Sequence, residues 1–268
     1  MTAASTSPDV EARRAHLNLI ESSRQLFGLD PEAEVEAGPG WVFGAGSATH
    51  PVISNAAFRG DDGLDAGELI ARAREFFSAR GRGFSVWGRA GVAADDDLFA
   101  AAEAAGLQDV YAMPEMVLRA PAEERPLPPG AELRRLASAE QTEEYWRVAT
   151  ASYASLGFPP EIFAGYSDHT PLLRDNVAAF LAYLDGEPVA IAMTIVSGGV
   201  AGIYWVGTVE AARGRGLGRA VTEAATNAGF ALGAELASLQ ASPMGRPVYE
   251  TMGFETTFEY RMLMSSPP

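Results

Sequence analysis

The chain has 268 residues, of which 47% are hydrophobic and 21% are charged, so it is long enough for two globular domains. Its formal net charge of −15 disfavours nucleic acid and anionic membranes as partners and favours a cationic substrate. The absence of cysteine excludes disulfides, thiolate metal sites and cysteine nucleophiles, and three scattered histidines indicate no metal site. No apolar segment of membrane-spanning length and no signal-peptide pattern is present, so we expect a cytoplasmic protein.

The N-terminal half begins with a segment, residues 2–8, whose composition is typical of a frayed tail. Its apolar spacing then predicts a helix over residues 66–80 and a strand over residues 84–87. A further helix that ends at Gly106, followed by a strand over residues 111–118, completes this half. Trp41 and Trp87 are interpreted as core residues rather than ligand contacts.

A linker is predicted over residues 119–130, which hold four prolines and show no apolar periodicity. We therefore expect an N-terminal domain over residues 1–120, a linker over 121–130 and a second domain over 131–268.

The C-terminal half shows a regular order of elements. Ser138 is placed to cap a helix over residues 139–152, and Asp185-Gly186 is a strong hairpin turn. The pattern predicts strands at 132–136, 177–184, 187–196, 202–209, 236–240 and 256–264, and further helices at 219–232 and 247–252. This order indicates an α+β fold with a mixed, mostly antiparallel sheet flanked by helices.

The two halves end in the same order of elements: a long helix, a short strand, a helix closed by a glycine and an apolar residue, and a strand. The pairs Gly106-Leu107 and Gly253-Phe254 occupy matching places. An internal duplication accounts for this echo better than chance similarity of two helix-strand units.

A glycine-rich loop, Arg213-Gly-Arg-Gly-Leu-Gly218, joins a strand to a helix in the C-terminal half. The free N–H groups and dipole of a helix N-terminus suit a pyrophosphate, and guanidinium groups can add charge-assisted hydrogen bonds. A mobile surface loop with solvated arginines is the alternative interpretation. A Walker loop is excluded because the chain has no lysine, and the glycine spacing and the late position of the loop disfavour a dinucleotide fold.

The segment from Thr208 to Ala220 resembles motif A of the GNAT superfamily of N-acetyltransferases, since Arg213, Gly216 and Gly218 match its Gln/Arg-x-x-Gly-x-Gly/Ala pattern. The segment from Pro247 to Phe254 resembles motif B, in which a tyrosine precedes Gly-Phe. Glu210 departs from the proline common at that position. The duplicated layout is similar to tandem members of the family. The resemblance implies two tandem GNAT-like domains, of which the first is degenerate.

The resemblance also implies roles for individual residues. The co-substrate would be acetyl-CoA, with no metal ion. Its pantetheine arm would lie along the strand, and its pyrophosphate would bind the loop. The implied binding residues are Val206, Gly207, Thr208, Val209, Arg213, Gly214, Arg215, Gly216, Leu217, Gly218 and Arg219. Tyr249 matches the tyrosine that protonates the departing thiolate, against the alternative of a core aromatic residue. Ser242 contacts the cofactor or caps a turn.

The acceptor implied by the resemblance is a small amine or a peptide, acetylated directly in a ternary complex, and a non-catalytic acyl-CoA sensor is the alternative. Candidate bases that the sequence does not separate are Glu161, Asp168, His169 and Glu210. Aromatic residues that would shape the acceptor pocket or simply pack in the core are Tyr153, Phe158, Phe163 and Tyr166. The oligomeric state is left open.

The N-terminal half lacks both catalytic features. Its matching loop carries Asp61, Asp62 and Asp65, which would repel a pyrophosphate, and Ala102 stands where the second half has Tyr249. We therefore expect a structural or substrate-shaping domain without turnover of its own.

Overall fold

The computed structural model describes residues 7–51, 54–163 and 165–267. Within these ranges the chain forms six α-helices and eleven β-strands. The helices are α1 Pro8–Phe27, α2 Ala66–Ser78, α3 Asp96–Ala104, α4 Ala139–Ala154, α5 Leu217–Ala231 and α6 Arg246–Thr251. The strands are β1 Glu34–Gly38, β2 Trp41–Ala45, β3 Asn55–Arg59, β4 Phe84–Ala90, β5 Gln108–Leu118, β6 Ala131–Arg135, β7 Val177–Leu184, β8 Glu187–Ser197, β9 Val200–Thr208, β10 Leu236–Gln240 and β11 Glu255–Ser265.

All eleven strands belong to one mixed sheet, in the order β1-β2-β3-β4-β11-β5-β10-β9-β8-β7-β6. Only β3 with β4 and β9 with β10 pair in parallel, and the other neighbours are antiparallel. One core cluster joins α1 and α4 to the sheet, and another joins α5 and α6 to its opposite face. The α+β architecture predicted from the sequence is therefore confirmed.

The two halves share this sheet because each gives its last strand to the other. The C-terminal strand β11 lies between β4 and β5, antiparallel to both. The strand β5 of the N-terminal half pairs in turn with β10 of the C-terminal half. The expected boundary near residue 120 thus separates two segments of sequence whose strands alternate at the centre of one sheet.

The repeat predicted from the sequence is present in the backbone. Both α3 and α6 end at a glycine in the left-handed region, with φ of +82° at Gly106 and +91° at Gly253. The next amide then bonds back to the helix, from Leu107 to the Ala102 carbonyl at 2.9 Å and from Phe254 to the Tyr249 carbonyl at 3.0 Å. Identical helix ends at matching places support a duplication.

The longest helix, α1, was not predicted from the sequence. Residues 2–6 of the expected tail lie outside the described residues, but Ser7 and Pro8 are the N-cap and first residue of α1, so that expectation was wrong for them. Asn18 of α1 donates hydrogen bonds to the carbonyls of Ile195 and Val200 and accepts one from the Tyr204 hydroxyl. These contacts fix α1 over β8 and β9.

In the N-terminal half, the strands β3 and β4 separate beyond Ala57 and Val86, and buried ion pairs lie where they separate. Asp95 accepts hydrogen bonds from Arg59 at 3.0 Å and from Arg89 at 2.8 Å, and all three side chains are at most 3% exposed. Burial by itself would raise the pKa of Asp95, but the hydrogen bonds from Arg89 and Arg59 lower it to about 2.

Asp95→Ala should lower the free energy of unfolding by about 3–5 kcal/mol, because it leaves two buried guanidinium groups unpaired. Asp97 also contacts Arg59 but is 58% exposed, so Asp97→Ala should cost at most about 1 kcal/mol. Since the pKa of Asp95 is lower in the folded than in the unfolded state, its contribution is present above about pH 4 and is lost as the pH falls toward 2. Urea unfolding of both variants at pH 7 and pH 3 measures these effects, and equal losses in the two variants would contradict this account.

Candidate functional site

The gap between β9 and β10 is the first component of the site. The parallel pairing of these strands covers only Val200, Ala201 and Gly202 of β9, so the remainder of β9 pairs with β8 alone. A β-bulge interrupts that ladder around Trp205, whose φ of +50° lies in the left-handed region, which is uncommon for a residue other than glycine. Strain of this kind concentrates at functional sites. The bulge bends β9 away from β10 and leaves one of its edges open.

The glycine-rich loop follows at the end of β9. A short 3₁₀ helix, Glu210–Ala212, leads into Gly214 with φ +74° and Gly216 with φ +80°. A Cβ atom at either glycine would meet nothing within 4 Å, so the backbone conformation requires glycine there and the surrounding space is open. A larger residue at Gly218 would be tightly packed, since its Cβ atom would approach the Thr208 hydroxyl to 3.0 Å.

The N-terminus of α5 carries no side-chain cap. The helices α1, α2 and α4 are capped by the side chains of Ser7, Asp65 and Ser138. The helices α3, α5 and α6 have no side-chain cap, and the N-cap of α5 is Gly216. The first-turn amides of α5 therefore face open space with the positive end of the helix dipole behind them. Such an end is suited to a phosphate group. In the N-terminal half, the Asp65 carboxylate takes the equivalent place by accepting from the Glu68 amide.

The three arginines of the loop have different surroundings. Arg213 donates to the carbonyls of Thr208 and Ser152 and to Ser155, which fastens the loop to the end of α4. Arg219 contacts Glu223 and donates to the Thr251 hydroxyl at 2.9 Å, which joins α5 to α6. Arg215 is exposed and has no side-chain partner within the described ranges. Of the three predicted guanidinium contacts to phosphate, Arg215 is thus free to make one.

Tyr249 lies on α6 and is buried against Phe254. Burial raises the pKa of its phenol, which keeps it protonated. From the opposite face of the sheet, Tyr153 of α4 donates to the Val206 carbonyl at the bulge, 3.3 Å away. The Tyr249 phenol is near enough to add to the rise in the pKa of Tyr153 that burial causes. Tyr153 thus contacts the bulge directly, and the Tyr249 phenol lies within electrostatic range of Tyr153.

Of the candidate bases proposed from the sequence, Asp168 and His169 are partly buried, and the Nδ1 atom of His169 has no hydrogen-bond partner in the described part of the chain. Glu161 and Glu210 are exposed. Asp168 accepts from the Thr170 amide at 2.9 Å, and His169 begins the short helix Thr170–Leu173. Ser242 accepts from the Gly245 amide at 3.1 Å, which is the turn interpretation of that residue. None of these side chains is brought to the gap by a contact within the described residues.

An aromatic cluster packs beside the bulge and includes two residues that the sequence analysis did not single out. Trp205 lies 5.0 Å from Phe163 and 5.4 Å from Tyr153 between ring centroids. The indole N–H groups of Trp146 and Trp205 are buried and have no partner in the described part of the chain. The members of this cluster are Trp146, Tyr153, Phe158, Phe163, Tyr166 and Trp205. His50 of the N-terminal half adds to it, 6.0 Å from Phe158.

Within the described residues, no group of three or more His, Asp or Glu side chains could hold a metal ion. The same part of the chain contains no helix that is both long and apolar enough to cross a membrane.

Gly216→Ala should lower the free energy of unfolding by roughly 1–2 kcal/mol, because alanine is strained at φ +80° although its methyl group has space. Gly63 lies in the matching loop of the N-terminal half and has no φ in the left-handed region. Gly63→Ala is therefore the control and should change stability by less than about 0.5 kcal/mol. Urea unfolding compares the two variants, and equal stability of both would contradict the strain at Gly216.

Comparison with known proteins identifies the fold. A model of the acetyltransferase (GNAT) domain matches residues 122–241. A GCN5-related N-acetyltransferase from Kribbella flavida has a TM-score of 0.70 at 22% identity, over 95% of this chain and 96% of that one. A GCN5-related N-acetyltransferase from Sphaerobacter thermophilus has 0.62 at 14% identity, over 98% and 95%.

A tandem GNAT protein of the clavulanic acid biosynthesis pathway has a TM-score of 0.59 at 16% identity, over 92% of this chain and 95% of that one. No curated protein matches the sequence. At these identities the structures establish the fold, and the domain model establishes the family of the matched residues. Residues 122–241 therefore belong to the GNAT acetyltransferase family, and the chain as a whole has the fold of tandem GNAT proteins.

Proposed function

We propose that the protein moves an acetyl group from acetyl-CoA to a primary amine by direct transfer in a ternary complex. The observation that carries the proposal is the uncapped N-terminus of α5, which stands at the end of a strand that has left its neighbour. A phosphate site joined to an open strand edge fits a long molecule with a diphosphate at one end.

The chain offers a binding group for each part of acetyl-CoA. The open edge of β9 from Val206 to Thr208, together with Val209, supplies backbone donors and acceptors to the pantetheine arm. The amides of residues 214–219 hold the diphosphate, and Arg215 adds a charge-assisted hydrogen bond. Arg213 and Arg219 support this arrangement from behind, since they fasten the loop and α5 to neighbouring helices.

Tyr249 donates a proton to the sulfur as the C–S bond breaks. Its raised pKa keeps it in the acid form at neutral pH. The sequence has no cysteine to carry an acetyl group, which supports direct transfer to the amine. The place of Tyr249 beside the gap favours an enzyme over an acyl-CoA sensor, because a sensor needs no acid there.

The acceptor is a small amine or the amino group of a peptide. The net charge of −15 attracts a cation, and the aromatic cluster provides faces that attract an ammonium group. The unpaired indole N–H groups of Trp146 and Trp205 can donate to an oxygen of the acceptor.

Calorimetric titration with acetyl-CoA tests the proposed diphosphate site at residues 214–219. The native protein should show saturable binding, and Gly216→Asp should weaken it at least about tenfold, since a carboxylate at the helix N-terminus repels the diphosphate. Gly216→Ala carries the same backbone strain without the charge and is the matched control. Arg215→Ala should weaken binding by about 1.5–3 kcal/mol. Absence of binding to the native protein would overturn the proposed function.

Tyr249→Phe should lower the rate of CoA release about 10²–10⁴-fold while acetyl-CoA affinity stays unchanged. Tyr111→Phe, on an exposed side chain of β5, is the control and should keep the native rate. Because burial raises the pKa of Tyr249, its ionisation should cause no fall in rate below about pH 10. Thiol release measured across pH tests both expectations, and a native rate in Tyr249→Phe would remove the role of the phenol.

A further inference from the structure

A carboxyl group lies buried in the sheet outside the site described so far. Glu115 of β5 is 0% exposed. Its Oε2 accepts a hydrogen bond from the Gln240 side-chain amide at 2.6 Å, and its Oε1 makes no hydrogen bond of normal geometry within the described residues, although the Ser238 hydroxyl lies close to the carboxyl group. An apolar residue would pack in the same place without the cost of burying a half-satisfied carboxyl group. The position therefore calls for a chemical explanation.

The register places Glu115 at the gap. It pairs with Gln240, the last residue of β10, beyond the point where β9 has separated from β10. Tyr204 of β9 is near enough for Glu115 to add to the rise in its pKa that burial causes. The neighbouring Met116 packs on the α5 side, so Glu115 points to the side of α1 and α4. The carboxyl group thus faces the side of the gap opposite the phosphate site.

We propose that Glu115 is the base that takes a proton from the acceptor amine, a role that rests on the proposed acetyl transfer. An N–H bond of the ammonium breaks and its proton goes to Oε1. The freed electron pair of nitrogen forms the N–C bond at the thioester carbonyl, and the C–S bond then breaks. Tyr249 protonates the sulfur, the second proton lost by nitrogen restores Tyr249, and Glu115 returns its proton to water. One proton is released for each acetyl group transferred.

The surroundings of Glu115 suit this role. Burial raises the pKa of Glu115 to about 8, against which Gln240 and the Ser238 hydroxyl act only in part. Titratable groups that face it are the phenols of Tyr204 on β9 and Tyr260 on β11. From α1, His16 bonds to the Tyr260 hydroxyl and stays neutral, because burial lowers its pKa to about 4. A base with this pKa is closer to an alkylammonium than an ordinary carboxylate is, which favours proton transfer.

This assignment gives the N-terminal half a part in catalysis. Glu115 belongs to the strand that the first half inserts beside β10. The strand exchange then does more than join two sheets, because it delivers a side chain that the C-terminal half lacks at this place.

The test compares Glu115→Gln and Glu115→Asp with Glu259→Gln, which changes an exposed carboxylate on β11. The rate measured is CoA release from acetyl-CoA, with water alone and with phenethylamine, putrescine, glucosamine and an alanine-initiated peptide. Glu115→Gln should lower the rate about 10²–10⁴-fold at unchanged acetyl-CoA affinity. The native rate should rise with pH through about 8, and Glu115→Asp, unlike Glu115→Gln, should keep that rise at a lower rate.

Stability provides a second measurement that separates the base from a structural group. Because the pKa of Glu115 is higher in the folded than in the unfolded state, the native protein loses stability as the pH rises from about 5 to 8. Glu115→Gln should abolish this loss, and it should therefore fold at least as well as the native protein at pH 8. Its lower rate cannot then be attributed to unfolding.

The outcomes are distinct. Native release of CoA that Glu115→Gln leaves unchanged in rate and pH profile would overturn the role of Glu115 and leave the acetyltransferase intact. A native protein that releases no CoA with water or any of the four amines would overturn the proposed function, and the role of Glu115 with it. Slow release by Glu259→Gln would show that the rate does not report on Glu115.

Discussion

The antiparallel pairing of β5 with both β10 and β11 is the interaction on which the rest of the molecule depends. Without it, β11 and β10 would each have an open edge, and the strands would form two separate sheets. With it, α1 lies over the centre of one sheet and contacts strands of both halves, through His16 to the Arg59 carbonyl and through Asn18 to the Val200 carbonyl. The gap beside β9 gains a rigid wall, because β10 is held in place from its other side.

Each half contains a separation between two parallel neighbouring strands, and the two halves differ in what fills it. In each, two parallel strands separate after two or three residue pairs. The first half fills the separation with Arg59, Arg89 and Asp95 and caps the following helix with Asp65. The second half leaves its helix uncapped and keeps the space around Gly214 and Gly216 open. The first half fills the separation with its own charged side chains, whereas the space in the second half stays open, as the proposed binding of a diphosphate requires.

Local chemistry made much of the C-terminal half predictable. Asp185-Gly186 adopts positive φ at both residues, as a two-residue hairpin turn requires, and Ser138 caps α4 through the Gln141 amide. The glycine spacing in residues 213–218 singled out the loop, and the Gly253-Phe254 pair singled out Tyr249 four residues before it. The remainder depends on contacts between distant segments. The burial of Glu115 comes from β10 and β11, which lie more than 100 residues further along the chain. The sequence of β5 does not indicate this burial, since the strand is exposed at one end and buried at the other. The conformation of Trp205 follows from the bulge. For α1, the Ser7-Pro8 start was the available signal.

The exchange of strands also sets an order of events during synthesis. The partners of β5 are β10 and β11, which leave the ribosome after the whole of the first half. Before β10 and β11 are synthesised, β4 lacks β11 on one side and β5 lacks both of its neighbours. The first half therefore carries unpaired backbone groups on these strands during that time. Exposed edges of this kind invite pairing with other chains. The nascent first half therefore depends on the second half for the strands that complete its sheet. A chain interrupted after residue 120 would be a substrate for chaperones rather than a free-standing domain.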